Sequence, residues 1–212
     1  MNLALFDFDG TITYKDSYTG FIKFSVKWKR LIAGLILLMP VIIGYKLKLL
    51  SSAKTRQIIT YFSFHGCSHS EINELGLKYS GEIIPLFIRN IAIEKIQWHK
   101  QQGDKIVIVS ASINIYLKHW CEKHGLDLIC SELEIKENKL TGNYINGDCS
   151  GKKKSERILE KYDLQIFNKI YAYGDTIEDK EMFDLADIKY LRWKEFKNDT
   201  PMPYLPNFEN MN

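Results

Sequence analysis

Cysteine is scarce in this 212-residue chain: Cys67, Cys121, Cys130 and Cys149 are the full set, with no CxxC and no paired spacing. That argues against a disulfide framework and fits reduced thiols in a cytoplasmic setting. Proline is limited to five residues, and neither an internal repeat nor a long low-complexity segment is present. No dense basic stripe exists either. The 29 Lys and Arg are interspersed with 26 Asp and Glu for a net charge of +3, which argues against a nucleic-acid partner. The N-terminus opens on a strand pattern holding two aspartates, in place of a basic region followed by an apolar stretch, so no secretory signal is expected. The length suffices for a buried core plus an insertion.

What is present begins at the first strand. The apolar run Leu3-Ala4-Leu5-Phe6 leads directly into Asp7-Phe8-Asp9-Gly10-Thr11. In an extended chain, residues i and i+2 project to one side, so Asp7 and Asp9 aim at a common point while Gly10 permits a sharp turn. Two carboxylates held together favour a cation. A second β-branched run, Ile106-Val107-Ile108-Val109, ends in Ser110, a donor for a phosphate oxygen. Gly151-Lys152-Lys153-Lys154 opens a helical pattern from which a lysine can reach a phosphate as a mobile point charge. A third strand, Ile170 to Gly174, runs into Asp175 and then Asp179, two more carboxylates four residues apart. Open α/β sheets bind ligands beyond the carboxyl ends of their strands, and all four segments fall there.

In order and spacing these motifs resemble the haloacid dehalogenase superfamily of phosphohydrolases, in particular its phosphoserine phosphatase-like IB branch. The resemblance covers residues 5 to about 192 and leaves out a Pro/Asn-rich tail. It implies an α/β fold, a Rossmann-like parallel sheet core with an inserted helical cap domain, and a Mg2+ cofactor. It also implies a division of roles. Asp7 would be the nucleophile forming an aspartyl-phosphate, and Asp9 the general acid and base, with its pKa raised by its surroundings. Asp7, the Asp9 carbonyl and Asp175 would be direct metal ligands, with Asp179 holding metal-bound water. Ser110 and Lys154 would balance charge on the phosphoryl oxygens. Lys154 fits the family spacing better than Lys152 or Lys153. Asp16 and Arg56 match positions where phosphoserine phosphatases bind substrate, and both also read as ordinary helix residues. Two departures argue against free phosphoserine: Ala111-Ser112 stand where those enzymes usually carry glycines, and Glu178 stands for an asparagine.

The core is expected at residues 1–13 and 89–212 and the helical cap at 14–88. Within the cap, Ser68-His69-Ser70-Glu71 reads as a helix start, which makes His65 and His69 parts of a loop and a helix rather than a zinc pair. Leu31 to Tyr45 runs fifteen residues without a charge, with Lys29 and Arg30 before it and Lys46 and Lys48 after it. It is shorter than the roughly 20 residues of a membrane span. Cap core, a dimer interface and contact with a membrane surface all remain open for it. The expected activity is Mg2+-dependent hydrolysis of a phosphate monoester on a small metabolite. The alternative is a lipid phosphate, because the apolar cap resembles the branch that includes phosphatidylglycerophosphate phosphatase. The expected location is cytoplasmic or peripheral at the inner face of the membrane.

Overall fold

The computed structural model describes residues 1–196; the tail, and with it the part of the expected core at 197–212, lies outside the described residues. Strands β1 (Leu3–Phe6), β2 (Lys105–Ile113), β3 (Asp127–Ser131), β6 (Ile170–Gly174), β7 (Ile188–Leu191) and β8 (Lys194–Phe196) form one sheet in the order β3-β2-β1-β6-β7-β8. All neighbours are parallel except β8, which closes the edge antiparallel to β7. The central strand is covered on both faces, which explains its unbroken apolar run. Its side chains alternate between two cores. Leu3 and Leu5, with Val107, Val109 and Ala172, face one layer; Ala4 and Phe6, with Ile106, Ile108 and Tyr173, face the other.

Helices α8 (Lys152–Lys161) and α9 (Lys180–Phe183) cover the first face through Ile158, Met182 and Phe183. Helices α6 (Asn90–Gln101) and α7 (Asn114–His124) cover the second through Ala92, Ile96, Leu117 and Trp120. On this side lies a buried polar relay. His99 is fully buried; its Nδ1 donates to Asp104 Oδ2 at 2.8 Å, and its Nε2 accepts from the Tyr173 hydroxyl at 2.9 Å. Burial holds the imidazole pKa below its ordinary value against the opposing pull of Asp104, so the ring is neutral and the tautomer is fixed by the carboxylate.

The chain leaves and re-enters the core by two adjacent passages: Thr13 and Ile88 form an antiparallel bridge, and the amides of Tyr14 and Arg89 donate to Phe87 and Ile12. Between them lie α1 (Ser17–Ser25), α2 (Trp28–Leu37), α3 (Met39–Lys46), α4 (Ser52–Phe64) and α5 (His69–Lys78). Ser51 and Ser68 cap α4 and α5 by accepting from the amides of Lys54 and Glu71. Phe21 and Tyr79 of this insertion meet the ring of Tyr116 of α7, with Phe64 stacked on Phe21, so the cap shares its interior with one face of the core. The hairpin β4 (Leu133–Lys136) and β5 (Lys139–Tyr144) leans on α4, with Gly66 and Cys67 exchanging backbone hydrogen bonds with Leu140.

Leu31 to Tyr45 folds as the α2–α3 pair, and the cap-core reading fails for its outer surface: Ile32, Leu35, Ile36, Leu37, Met39 and Ile43 are exposed, and α3 buries no residue. The pair packs on α4 along one side only, so a segment apolar all round has no second layer to meet. Among the described residues no single helix is long and apolar enough to cross a membrane; α2 and α3 are so only together, and a 52° bend separates them.

Candidate active site

The site forms where β1 ends. Asp7 keeps extended geometry, and its amide still donates to Tyr173, so its carboxylate stands at the strand tip. The chain then makes one wide turn over Phe8–Ile12, closed by the Thr13 amide on the Phe8 carbonyl at 3.0 Å. Gly10 carries the positive φ of 83° that the turn requires. Phe8 points inward onto Trp120, which anchors the turn from below. Asp7 and Asp9 both line a cleft of about 470 Å3, together with Asp16, Arg56, Ser110, Lys154 and Asp175 from the sequence-based set. Asp179 lies just beneath it and joins through its contacts.

The two N-terminal aspartates have different surroundings. Lys154 Nζ donates to Asp7 Oδ1 and to Asp179 Oδ1, both at 2.6 Å, with all three side chains buried. Burial pushes the Asp7 carboxyl up to about 7, partly opposed by Lys154. Burial alone would lower the Lys154 pKa, but Asp179 and Asp7 hold it above its ordinary value, so the ammonium stays charged. Asp9 faces away from the lysine. Its Oδ1 accepts from the Ser17 amide at 2.6 Å and its Oδ2 from the Ser112 hydroxyl at 2.5 Å. Burial and the charge of Asp16 push Asp9 up to about 6 against the pull of those donors.

Asp179 is locked by its other oxygen, which accepts from the amides of Asp175 and Thr176 at 3.0 and 3.2 Å. Asp175 is backed by the turn after β7: the Arg192 Nε donates to its carbonyl at 3.2 Å. Burial, with Asp7 and Asp179 nearby, pushes the Asp175 carboxyl up to about 9. Its Oδ2 is buried with no hydrogen-bond partner. Asp7, Asp175 and Asp179 each offer an oxygen within 4.8 Å of the others'. Three carboxylates against one ammonium, an unpartnered buried oxygen and a donor set made only of oxygen fit a hard divalent cation such as Mg2+.

Asp16 and Arg56 reach the cleft wall with their polar groups already engaged. Asp16 caps α1 by accepting from the amides of Tyr18 and Thr19. Arg56 pairs with Asp148 and, at 3.2 Å, with Glu178, which also accepts from the Ser52 hydroxyl. Ser17, Ser112, Asp148 and Glu178 as contact residues are not evident from the motifs. Ser112 carried the one available hint, a second hydroxyl two residues after Ser110; both lie within β2, which runs on to Ile113. Ser110 itself is buried and accepts from the Ser112 amide at 3.0 Å, where the register of β2 against β3 shifts.

Residues 4–184 match the family of haloacid dehalogenase-like hydrolases. A curated relative, "Protein CicA" of Caulobacter vibrioides, is 29% identical over 205 residues, covering 90% of this chain and 85% of that protein. Among solved structures, a protein of unknown function from Bordetella pertussis Tohama I superposes with a TM-score of 0.79 at 18% identity, covering 90% and 89% of the two chains. A phosphoserine phosphatase holding an analogue of its phospho-aspartyl intermediate gives 0.64 at 19% identity, covering 90% of this chain and 85% of that one. Cytosolic 5'-nucleotidase IIIB bound to cytidine gives 0.64 at 16% identity, covering 90% and 72%. The chain belongs to the haloacid dehalogenase-like hydrolase family.

Proposed function

Proceeding from that membership, we propose that the protein is a phosphomonoester hydrolase that works through an aspartyl-phosphate on Asp7 with Mg2+ as cofactor. The observation that carries this reading is the contrast between two aspartates at one strand tip. Asp7 is gripped by Lys154 beside two further carboxylates, while Asp9 stands apart on hydroxyl and amide donors. A pair of carboxylates with different environments suits two different jobs.

In the first step Asp7 attacks phosphorus and the bond to the leaving oxygen breaks. Asp9, with a pKa near 6, gives that oxygen its proton. In the second step water attacks phosphorus, Asp9 takes its proton back, and the bond to Asp7 breaks to release orthophosphate. Lys154 and Ser110 hold the equatorial oxygens, whose charge grows as the reaction proceeds. Asp7, the Asp9 carbonyl and Asp175 would hold Mg2+ directly, with Asp179 on its bound water. When bound, the ion supplies positive charge to the phosphoryl oxygens and keeps Asp7 ionised.

The leaving group rests under the cap, between Asp16 and Arg56 on the polar side and Ile42, Tyr45 and Ile59 on the apolar side. A small phosphorylated metabolite fits this cleft. A lipid phosphate is the second reading, favoured by one observation: Ile42 and Tyr45 belong to the α2–α3 pair whose outer surface is apolar and exposed. Phosphate release from both substrate types, followed by acid quench and intact mass spectrometry, tests the mechanism. A phosphoryl adduct is expected in the wild type and absent from Asp7→Asn; turnover by a verified pure Asp7→Asn protein would defeat it.

A further inference from the structure

Exposed apolar side chains and positive charge are concentrated in one stretch of this molecule. Residues 17–70 contain eight Lys or Arg and not a single Asp or Glu, so this stretch carries +8. The whole chain is only +3, so everything outside the stretch sums to −5. The asymmetry coincides with the exposed helical pair. Leu35, Ile36 and Leu37 of α2 are 64%, 68% and 64% exposed; Ile43 of α3 is 50% exposed, and Leu47 just beyond it 63%. Lys27 and Lys29 lie exposed at the start of α2, and Lys46 and Lys48 at the end of α3.

The pair is fixed to the cap along its inner side. Gly34 of α2 is buried so close to Phe62 of α4 that a Cβ would lie 2.8 Å from the ring. Arg30 donates to the His65 carbonyl at 2.8 Å and to Cys67 Sγ at 3.1 Å, which secures the start of α2. The outward side is therefore presented by a braced support. Two helices bent at 52° and held lengthwise on α4 suit insertion into the plane of an interface rather than passage across a bilayer.

We propose that α2 and α3 seat the protein on an anionic lipid bilayer, with the apolar side chains entering the headgroup boundary and the flanking lysines meeting lipid phosphates. Charge complementarity selects this occupant over a second copy meeting it face to face, since copies apposed through α2 and α3 would bring the exposed Lys27, Lys29, Lys46 and Lys48 of each against those of the other. Anionic lipid accepts both the apolar surface and the lysines. Seating this side would bring the cleft near the interface, because Ile42 and Tyr45 of α3 line it. That last consequence rests on the site proposed above; the docking does not.

The test uses the full-length protein, with flotation on vesicles of phosphatidylglycerol and phosphatidylcholine or of phosphatidylcholine alone. Wild type is expected to float with the anionic vesicles, at least tenfold less with the neutral ones, and to be released by high salt. A variant with Leu35→Gln, Ile36→Gln and Ile43→Gln is expected to lose binding tenfold or more while keeping its thermal midpoint and its hydrolysis of p-nitrophenyl phosphate. Lys46→Glu with Lys48→Glu should lose the preference for anionic lipid. Wild type that stays behind with anionic vesicles overturns the proposal. So does equal binding by the glutamine variant, or a wild-type dimer in light scattering that this variant dissociates without any flotation. Flotation is read without turnover, so an inactive site and a failed docking surface give separate results.

Discussion

The guanidinium of Arg56 makes a two-point pair with Asp148, Nε to Oδ2 at 2.8 Å and Nη2 to Oδ1 at 2.9 Å, and so ties helix α4 of the cap to the loop before α8. Lysine cannot reproduce that fork. Arg56→Lys should raise KM severalfold for every substrate with a smaller change in kcat, because the cap is held less firmly over the cleft. Asp148→Asn should do the same. Arg56→Ala should also destabilise the fold by about 3 kcal/mol, since it strands a buried carboxylate. If Arg56 instead contacts substrate directly, the loss will be confined to substrates with a second anionic group. Steady-state kinetics on two substrates and thermal unfolding separate these outcomes.

Asp9 supplies the proton that a poor leaving group needs and a good one does not. Asp9→Asn should therefore lower the single-turnover rate of leaving-group release by about 10²- to 10⁴-fold for an alkyl phosphate and by clearly less for p-nitrophenyl phosphate. Ser112→Ala removes one of the donors on Asp9 and should give a milder version of the same pattern, on the order of tenfold for the alkyl substrate, as expected for one hydrogen bond to a charged group. Equal losses in leaving-group release on both substrates would argue against Asp9 as the acid of the first step.

Removing divalent cations with EDTA should abolish turnover, and Mg2+ should restore it. Binding should also be visible without catalysis: Mg2+ at a hundred times its dissociation constant should stabilise the fold by about 2.7 kcal/mol, read as a raised unfolding temperature. Asp175→Asn should erase that shift. In the absence of the ion, burial places protons on Asp175, pushed up to about 9, and partly on Asp7, pushed up to about 7. Mg2+ must displace them, so its affinity should rise with pH from 6 to 9 and calorimetry should record proton release.

The His99–Asp104 pair contributes to the loss of stability in acid. Burial lowers the His99 pKa, and hydrogen bonds from His99 and Asn2 lower that of Asp104 despite its burial, so the folded chain binds fewer protons at both groups than the unfolded chain. Their stabilisation is complete above the unfolded histidine pKa of about 6.5. It falls as pH drops, first through His99 and then, below about 4, through Asp104. His99→Gln should be less stable at pH 7 and should show a flatter unfolding temperature between pH 7 and 5. An unchanged slope in that variant would assign the acid sensitivity elsewhere.

The strands were legible because parallel strands buried on both faces leave continuous apolar runs, as in Leu3–Phe6 and Ile106–Val109; Asp7 does stand directly after β1, whereas β2 continues past Ser110 to Ile113, so the expected tip falls inside the strand. Helix starts such as Ser68 were legible from local capping chemistry. What holds the site together was less so. The partner of Arg56 lies 92 residues away, and Asp9 is held by a backbone amide and by a hydroxyl placed by a register shift in β2, none of which leaves a periodic trace. The edge strand β8, Lys194-Glu195-Phe196, carries charges and lacks the alternation that marks a half-buried strand. The apolar run at Leu31 to Tyr45 fitted burial and exposure equally well, because composition records what a segment could pack against and not whether a neighbour is there.

The central position of β1 governs the order in which the protein can assemble during synthesis. Leu3 pairs with Lys105 on one side and with Ile170 on the other, so β1 is flanked by strands made about 100 and 170 residues after it. The cap helices emerge in between and can coil locally at once, while loops of that length must close before either neighbour arrives. At the pace of translation, on the order of ten residues per second, Asp7 and Asp9 spend about ten seconds on a strand with neither neighbour made and more than about fifteen before the second is made. A nascent chain truncated before Ile170 should therefore hold a formed cap and no catalytic pocket, and it should depend on chaperones for that interval.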